Sequence, residues 1–303
     1  MRGETDKGNN TSYLNPLMQG ADPFVLAHGG KYYLYATNSD DGFRVYESED
    51  MATWEDRGYC LKRGDVIGER WFWAPEVMER DGVFYMVYVA DEHLAVAISD
   101  SPLGPFVQKE KKWISDKCAI DGHFFVDDDG SVYFYYVRFD NGNVIYMSTL
   151  VDNFSALDEK NEKFLFRADE EWELRDCEVV EGPFVLKHKG KYYLTYSANH
   201  TRSEDYAIGY AISDSPYGPF KKYSGNPILR KTDEVNGTGH HSFVRSIDGD
   251  ELVCVYHRHF SKSKFQPRLV CIDRAGFERG EDGEDVLVIY GPTTSPQRAF
   301  GKK

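Results

Sequence analysis

The sequence is poor in the features that mark disulfide scaffolds and membrane proteins. Its 303 residues contain only five cysteines, an odd number, and no two of them form a Cys-x-x-Cys pair. This usage argues against a disulfide framework and predicts reduced, mostly buried thiols. No window approaches 18 consecutive apolar residues, so we expect no membrane-spanning helix and no membrane partner.

An export signal and an excess of positive charge are also missing. The first twenty residues contain no apolar stretch of signal-peptide length, which together with the reduced thiols predicts a cytoplasmic protein. A leader preceding this sequence would make the protein secreted instead. Lys+Arg number 36 against 50 Asp+Glu, a formal net charge of −14. Because nucleic-acid binding rests on a basic surface, we expect no nucleic-acid partner. The oligomeric state stays open.

Aromatic residues, by contrast, are abundant. They make up 15% of the chain, with 21 Tyr and 19 Phe. Such a composition, together with frequent glycine, favours β-structure. The length alone would permit one large domain or two small ones.

The chain contains internal repeats. SDSPLGPF at 99–106 recurs as SDSPYGPF at 213–220, and each copy follows a short apolar strand. A weaker pattern, a short strand followed by a glycine turn and a strand rich in aromatic residues, occurs five times. The turn glycines are Gly30, Gly82, Gly130, Gly190 and Gly249.

Glycine turns between strands of alternating pattern are typical of β-hairpins. Units of roughly 50 residues with short antiparallel strands are typical of propeller blades. The sequence therefore predicts an all-β, five-bladed β-propeller, with residues 1–303 as a single domain. A β-sandwich or barrel is the alternative fold, which the fixed period disfavours. The acidic stretch from Glu278 to Asp285 is predicted to be a solvated loop.

The repeats also place polar residues at one end of a central channel. Counted back eight or nine residues from the turn glycines, Asp22, Asp121, Glu181 and either His240 or His241 occupy equivalent positions. In the second repeat the register is ambiguous among three residues, Trp73, Pro75 and Glu76. Three carboxylates would thus converge near the axis. A solvated acidic channel, or a cation site that holds the blades together, is the non-catalytic interpretation.

A cluster of three carboxylates suits glycoside hydrolysis. One protonated carboxyl group donates to the leaving oxygen and one carboxylate activates water or attacks the sugar. A third carboxylate can keep the pKa of the acid high by repulsion.

The ordered motifs ADPFV at 21–25, WAPEV at 73–77, IDGHFF at 120–125, EGPFV at 181–185 and GTGHHS at 237–242 resemble glycoside hydrolase family 43. The resemblance covers nearly the whole chain. It implies an inverting hydrolase of xylose- or arabinose-containing glycans, with a five-bladed propeller fold.

By position in these motifs, Asp22 resembles the general base, Glu181 the general acid and Asp121 the carboxylate that modulates and orients the acid. The family often has Asp-Pro at the third position, whereas here Gly122 follows Asp121. Glu178, three residues before Glu181, is expected to lie on the opposite face of the strand.

Three further residues are substrate-binding candidates by the same resemblance. Trp73 resembles the aromatic wall on which sugars stack, with a core tryptophan as its alternative. Arg268 resembles an arginine that contacts sugar hydroxyls, with a surface arginine as its alternative. His240 resembles a histidine near the channel centre, which can border calcium through water or make ordinary hydrogen bonds. No cofactor is expected to be required, and a structural Ca²⁺ in the channel is possible by resemblance. His257 and His259 are expected to make packing and polar contacts rather than bind zinc.

The sequence therefore predicts an exo-acting β-xylosidase, α-L-arabinofuranosidase or both, with a pentose-containing oligosaccharide as its substrate. An endo-arabinanase of the same fold is one alternative. A non-catalytic sugar-binding propeller is the other, and the presence of three carboxylates disfavours it.

Overall fold

The computed structural model describes residues 12–281 and 283–300. Their strands form five antiparallel sheets arranged as the blades of a propeller, so the predicted all-β, five-bladed fold is confirmed. The predicted domain bounds, 1–303, extend into terminal residues outside the described part of the chain. No helix within the described ranges is long and apolar enough to cross a membrane.

The strands are numbered in chain order, and each blade uses consecutive ones. Two short strands come first, β1 (Ser12–Tyr13) and β2 (Met18–Gln19). Blade one contains β3 (Ala21–His28), β4 (Lys31–Thr37), β5 (Gly42–Ser48) and β6 (Glu55–Lys62). Blade two contains β7 (Trp73–Arg80), β8 (Val83–Ala90) and β9 (His93–Ser99).

Blade three contains β10 (Ala119–Val126), β11 (Val132–Phe139), β12 (Asn143–Ser148) and, beyond the small hairpin β13 (Leu150–Val151) and β14 (Ala156–Leu157), β15 (Lys163–Phe166). Two 3₁₀ turns flank β15, at Glu159–Asn161 and Glu171–Glu173. Blade four contains β16 (Val180–His188), β17 (Lys191–Ala198), β18 (Ala207–Ser213) and β19 (Lys221–Lys222). Blade five contains β20 (Gly239–Arg245), β21 (Leu252–Arg258), β22 (Leu269–Arg279) and β23 (Asp285–Ile289), and the last strand is β24 (Gln297–Arg298).

The N-terminal strands close the ring. Strand β2 pairs with β22, matching Met18 with Val270, and so adds an outer strand to blade five. Strand β1 pairs with β24 near the C-terminus. Blade five is therefore built from both ends of the described chain, which ties the first blade to the last.

The abundant aromatic residues fill the spaces between blades. Tyr35 and Phe43 of blade one pack in one cluster with Tyr88 of blade two, and all three are fully buried. Each such side chain contributes roughly 1.5–3 kcal/mol by leaving water. The five cysteines are all free thiols, of which three are buried, Cys118 is exposed and Cys177 is half-buried.

The acidic stretch from Glu278 to Asp285 is more ordered than the predicted loop. Strand β22 continues to Arg279 and pairs with β23, matching Arg279 with Asp285. Asp285 also bonds His188 and Lys189 of blade four. The acidic residues thus surround a hairpin turn rather than forming a free loop.

All five innermost strands, β3, β7, β10, β16 and β20, carry a one-residue β-bulge at the same place. In β3, Ala21 pairs with Thr37 and Phe24 with Tyr35, so β3 advances three residues where its partner β4 advances two. The same shift recurs in the other four innermost strands. Bulges re-aim side chains and are common beside active sites.

The first of the two residues inside each bulge has a left-handed backbone. These residues are Asp22 (φ 50°), Ala74 (φ 45°), Asp121 (φ 56°), Gly182 (φ 57°) and His240 (φ 44°). Four of them are not glycine, and left-handed conformations are uncommon and strained for such residues. Strain repeated at one end of the propeller axis points to a functional site there.

Candidate active site

The structure brings the three predicted carboxylates together at the axis. Asp22 and Asp121 are buried, and they lie within one electrostatic cluster with Glu181. His240 sits between two of them, with Nδ1 at 3.3 Å from Asp22 Oδ1 and 3.9 Å from Asp121 Oδ2. Arg268 reaches the same cluster from blade five.

Glu181 differs from the prediction by one residue of register. It precedes the bulge of its strand, as Trp73 does in blade two, whereas Asp22 and Asp121 lie inside theirs. The hairpin turns of blades three and five are one residue longer than the others, so counting back from the turn glycine misaligned the fourth blade. In blade two the left-handed position of the bulge belongs to Ala74, which is none of the three candidate residues.

Asp22 is held in its ionised form. Burial opposes ionisation, but the guanidinium of Arg268, with Nη1 at 2.7 Å from Oδ1, outweighs it. His240, His257 and a hydrogen bond from Thr37 act in the same direction, and together they hold the pKa of Asp22 well below its ordinary value. Asp22 is therefore a carboxylate across the physiological pH range.

Asp121 is held in the opposite state. Burial raises its pKa well above the ordinary value, and repulsion from Glu181 and Asp22 adds to this rise. The backbone N–H of Gly182 donates to Oδ2 at 3.1 Å and only partly offsets the rise. Because Gly182 directly follows Glu181, this hydrogen bond ties Asp121 to the strand that carries Glu181.

Glu181 is the carboxyl group whose pKa lies nearest neutrality. Burial and repulsion from Asp22 raise its pKa to about 7, while hydrogen bonds from Tyr206 and Asn143 and the charge of Arg268 oppose the rise. The Tyr206 hydroxyl donates to Oε1 at 2.8 Å and the Asn143 amide to Oε2 at 3.0 Å. Both oxygens of Glu181 are thus fixed by donors.

A glycine in blade five makes room for one of these donors. A Cβ atom on Gly239 would lie 2.3 Å from the ring of Tyr206. Gly239 occupies the same pre-bulge position as Glu181 does in blade four. A larger residue at 239 would displace Tyr206 and so release the Glu181 carboxyl group.

Two of the three predicted substrate-binding residues, Trp73 and Arg268, line one cleft. A cleft of about 380 Å³ lies between blades five, one and two, and both Trp73 and Arg268 contribute to its wall. Trp73 is half-buried and stacks on Trp71, with ring centroids 5.7 Å apart. Arg268 is not a surface residue, since its side chain is only 13% exposed and pairs with Asp22. Their contacts with substrate stay a prediction.

Residues of the second strands also support the site, and sequence reasoning missed their role. His257 accepts a hydrogen bond from the backbone N–H of Asp22 at 3.1 Å. Thr37 accepts from the N–H of Ala74, and Ser197 from that of His240. Each of these three side chains joins its own blade to the bulge of the next. A signal was present, because each is a polar residue seven or eight positions after a turn glycine.

Asn143 and Tyr206 carried no comparable signal. Each lies where a loop enters a third strand, at the start of β12 and just before β18. The loops differ in length between blades, so the repeat pattern does not align these positions. Only the three-dimensional structure brings them to Glu181.

Two other acidic candidates lie outside the cluster. Glu178 is exposed and its backbone carbonyl accepts from the N–H of Asn143, in agreement with its exclusion. Glu76 accepts from His123 Nδ1 at 2.9 Å and from the N–H of Phe124 at 2.8 Å. Glu76 therefore ties blade two to blade three.

The centre of the channel is too small and too poor in oxygen ligands for a directly bound calcium ion. A cavity of about 30 Å³ at the axis is lined by Asp22, Asp121 and His241, among others. It has room for about two waters, since each needs roughly 10–15 Å³. His241 donates from Nε2 to Thr195, and its buried Nδ1 has no partner among the described residues.

Calcium takes six to eight oxygen ligands. Within residues 12–281 and 283–300, no three His, Cys, Asp or Glu side chains are arranged to hold a metal ion. The cavity therefore fits water better than a directly bound calcium ion. A water-mediated ion near His240 stays a prediction, and no chemical step is assigned to it.

The arrangement provides an acid and a base at neutral pH. One carboxyl group has a pKa near 7 and a second is held ionised, the combination by which two carboxylates divide acid and base roles. An arginine, a histidine and an aromatic wall surround them. This chemistry matches that expected of a glycosidase.

Comparison with known proteins agrees with this assignment of class. The model of the glycosyl hydrolases family 43 matches residues 13–283. The chain therefore belongs to glycosyl hydrolase family 43 and is a glycoside hydrolase.

Individual relatives fall within the same class. A crystal structure of an endo-1,4-β-xylanase from Bacteroides thetaiotaomicron is 38% identical, with a TM-score of 0.86 over 93% of this chain and 98% of that one. A β-D-galactofuranosidase from Aspergillus niger is 27% identical over 90% of this chain and 85% of its own length. A xylosidase/arabinosidase from Bacteroides ovatus is 29% identical over 77% of this chain and 84% of its own length.

Proposed function

We propose that the protein is an inverting, exo-acting glycoside hydrolase that releases pentose from xylan- or arabinan-derived oligosaccharides in the cytoplasm. The observation that carries the proposal is the division of protonation states at the axis: Glu181 has a pKa of about 7, whereas Asp22 is held ionised. The activities named for the Bacteroides relatives support pentose glycans as the substrate class.

In the proposed reaction, Glu181 donates its proton to the glycosidic oxygen as the bond to the anomeric carbon breaks. Asp22 takes a proton from a water molecule, which attacks the opposite face of the sugar and inverts the anomeric configuration. Asp121, which burial and the charges of Glu181 and Asp22 hold protonated, orients the strand that carries Glu181 through its contact with the Gly182 N–H. Arg268 and Trp73 hold the pentose ring.

Activity on a panel of nitrophenyl glycosides tests the substrate class. We expect hydrolysis of the β-xyloside, the α-L-arabinofuranoside or both, and NMR of the first-formed sugar should show inversion. The β-galactofuranoside belongs in the panel because of the Aspergillus relative. Hydrolysis of none of these pentosides, or retention of configuration, would overturn the proposal.

The roles of the two carboxyl groups can be separated by the leaving group. A nitrophenolate departs without protonation, so Glu181→Gln should retain far more activity on the nitrophenyl xyloside than on xylobiose. Asp22→Asn should lose activity on both, by roughly 10³-fold or more, because water activation is needed in each case. Equal losses in the two variants on both substrates would contradict the assignment.

Cleavage within the chain is a second candidate, favoured by the open cleft beside Trp73 and by the endo-xylanase name of the 38% identical structure. Early products from a reducing-end-labelled xylohexaose distinguish the two. Exo action shortens the labelled chain stepwise from its non-reducing end by one or two units, whereas endo action produces labelled fragments of all lengths at once.

A further inference from the structure

Trp71 is an exposed aromatic residue in a strained conformation that the proposed mechanism does not use. Its backbone has φ 60°, a genuine outlier for a bulky residue. Its side chain remains 40% exposed. Strain at such a position persists only where the surroundings enforce it, and it is frequent at ligand-binding sites.

The surroundings of Trp71 enforce this conformation through Asp91. The N–H of Asp91 donates to the carbonyl of Arg70 at 2.9 Å, and Asp91 Oδ2 accepts from the N–H of Glu69 at 2.9 Å. The Arg70 guanidinium lies 3.4 Å from Asp91 Oδ1 and 3.8 Å from the Trp71 ring centroid. The loop before β7 is therefore fixed so that the indole is held in place.

The exposed part of Trp71 belongs to the wall of the 380 Å³ cleft. Its ring is nearly parallel to that of Trp73, with an interplanar angle of 19°. Polar side chains share the wall, among them Gln19, Ser39 and Gln266. Asn38 also lines it, and its Nδ2 has no partner among the described residues. Aromatic surface beside side-chain amides and hydroxyls is the chemistry that binds a sugar ring.

The cleft lies across the axis from the acid. It is formed by blades five, one and two, whereas the donors that hold Glu181, Asn143 and Tyr206, belong to blades three and four. The leaving group departs beside the acid, so the cleft extends from the other end of the cleaved sugar.

We propose that Trp71 is the platform of a second sugar subsite, which holds the ring next to the cleaved unit on its glycone side. The inference rests on the proposed function and extends it. With both rings bound, the enzyme removes a two-ring unit from longer oligosaccharides, in addition to single pentoses from their ends.

Binding in a Glu181→Gln background tests the subsite independently of turnover. Calorimetry would compare xylotriose, α-1,5-arabinotriose and free xylose. We expect Trp71→Gly to lower the affinity for the better-bound trisaccharide about tenfold, the loss typical of one aromatic contact. Trp71→Phe should lower this affinity less. Because glycine relieves the strained backbone while it removes the Trp73 stacking and the Arg70 contact, Trp71→Gly should melt close to its parent.

Tyr217→Ala provides the matched control. Tyr217 is exposed to a similar extent, 42%, and lies in the turn after β18, at the opposite end of the propeller. We expect this variant to bind the trisaccharide as its parent does.

Kinetics and products give a second readout in the otherwise native enzyme. In Trp71→Gly, the ratio of kcat/KM for xylotriose to that for the nitrophenyl xyloside should fall about tenfold. Disaccharide released from the non-reducing end of labelled xylotetraose should give way to xylose. A loss of trisaccharide binding with unchanged products would place the ring on the other side of the bond and overturn the glycone-side assignment.

Equal trisaccharide affinity in Trp71→Gly and its parent, or no trisaccharide binding by the parent, would overturn the subsite altogether. Failure of the proposed function is a different result, namely no hydrolysis of any pentoside by the native enzyme. The two failures are therefore distinguishable.

Discussion

The backbone N–H of Asp22 donates a hydrogen bond to Nδ1 of His257 across 3.1 Å. Because Nδ1 accepts, the ring proton lies on Nε2, which faces the hydroxyl oxygen of Thr201 at 3.3 Å. Burial and the nearby charge of Arg268 hold the pKa of His257 well below its ordinary value, so the ring stays neutral. His257 thus fixes the strained backbone of Asp22 as a positioning residue.

Replacing His257 should therefore misplace the base rather than abolish it. We expect His257→Ala to lower kcat by about 10- to 100-fold with a smaller change in KM, since a displacement near 1 Å can cost about that much. Steady-state kinetics on xylobiose measure both constants.

Two further variants control for lost stability. His257→Gln restores an acceptor and should recover part of the lost kcat. Tyr256 lies next to His257 in β21, and its hydroxyl donates a buried hydrogen bond to Asp273. Tyr256→Phe removes this bond without affecting the contacts of Asp22, so it should leave kcat unchanged. An equal loss of kcat in Tyr256→Phe would refute the positioning role.

The Tyr206 hydroxyl favours the ionised form of Glu181, to which it donates at 2.8 Å. In Tyr206→Phe the pKa of Glu181 should rise, so the basic limb of the kcat/KM profile should move from near pH 7 to higher pH. A hydrogen bond to a charged group contributes about 1.5–3 kcal/mol, so the pKa should rise by about one to two units.

A matched tyrosine tests whether the shift is specific. Tyr196 is also fully buried in blade four, but its hydroxyl donates to Glu173. Tyr196→Phe should leave the basic limb in place. A Tyr206→Phe profile that moves no further than the Tyr196→Phe profile contradicts the role of Tyr206.

Asp121→Asn should leave the same limb in place. Burial and the charges of Glu181 and Asp22 raise the pKa of Asp121 well above its ordinary value, so Asp121 is protonated where Glu181 ionises and asparagine removes no charge there. The kcat/KM profile measures the limb, with Asp273→Asn, a change in a different buried carboxyl group, in blade five, as the control. A limb that moves to lower pH in Asp121→Asn alone would show instead that Asp121 is ionised and raises the pKa of Glu181.

The repeats predicted the fold well because each blade repeats one local pattern. A glycine turn followed by an aromatic strand sets the hairpin, and five such hairpins cannot bury their faces without stacking on one another. Asp22 and Asp121 were found by the same pattern, since they occupy the bulge in their blades.

The sequence was less informative where a blade departs from its neighbours. A turn one residue longer in blades three and five hid the true register of Glu181, and the bulge is not visible in the sequence. Asn143 and Tyr206 reach Glu181 from loops of unequal length. Protonation states depend on burial and on partners distant in sequence, such as Arg268 beside Asp22, so no local pattern predicts them.

The raised pKa of Glu181 also has a consequence for stability. The folded pKa of about 7 exceeds the ordinary value of 4.5, so the folded state binds the proton more tightly than the unfolded state. The native protein therefore loses stability as the pH rises from about 4.5 through 7, and Gln at this position does not titrate.

We expect the stability of Glu181→Gln to increase by up to about 3 kcal/mol relative to the native protein between pH 4.5 and pH 8. Urea unfolding at the two pH values measures this gain. Asp22→Asn should instead lose about the same stability at both pH values, since the lowered pKa of Asp22 stabilises the fold throughout the range above 3.8. A stability difference between Glu181→Gln and the native protein that is the same at both pH values would contradict the raised pKa.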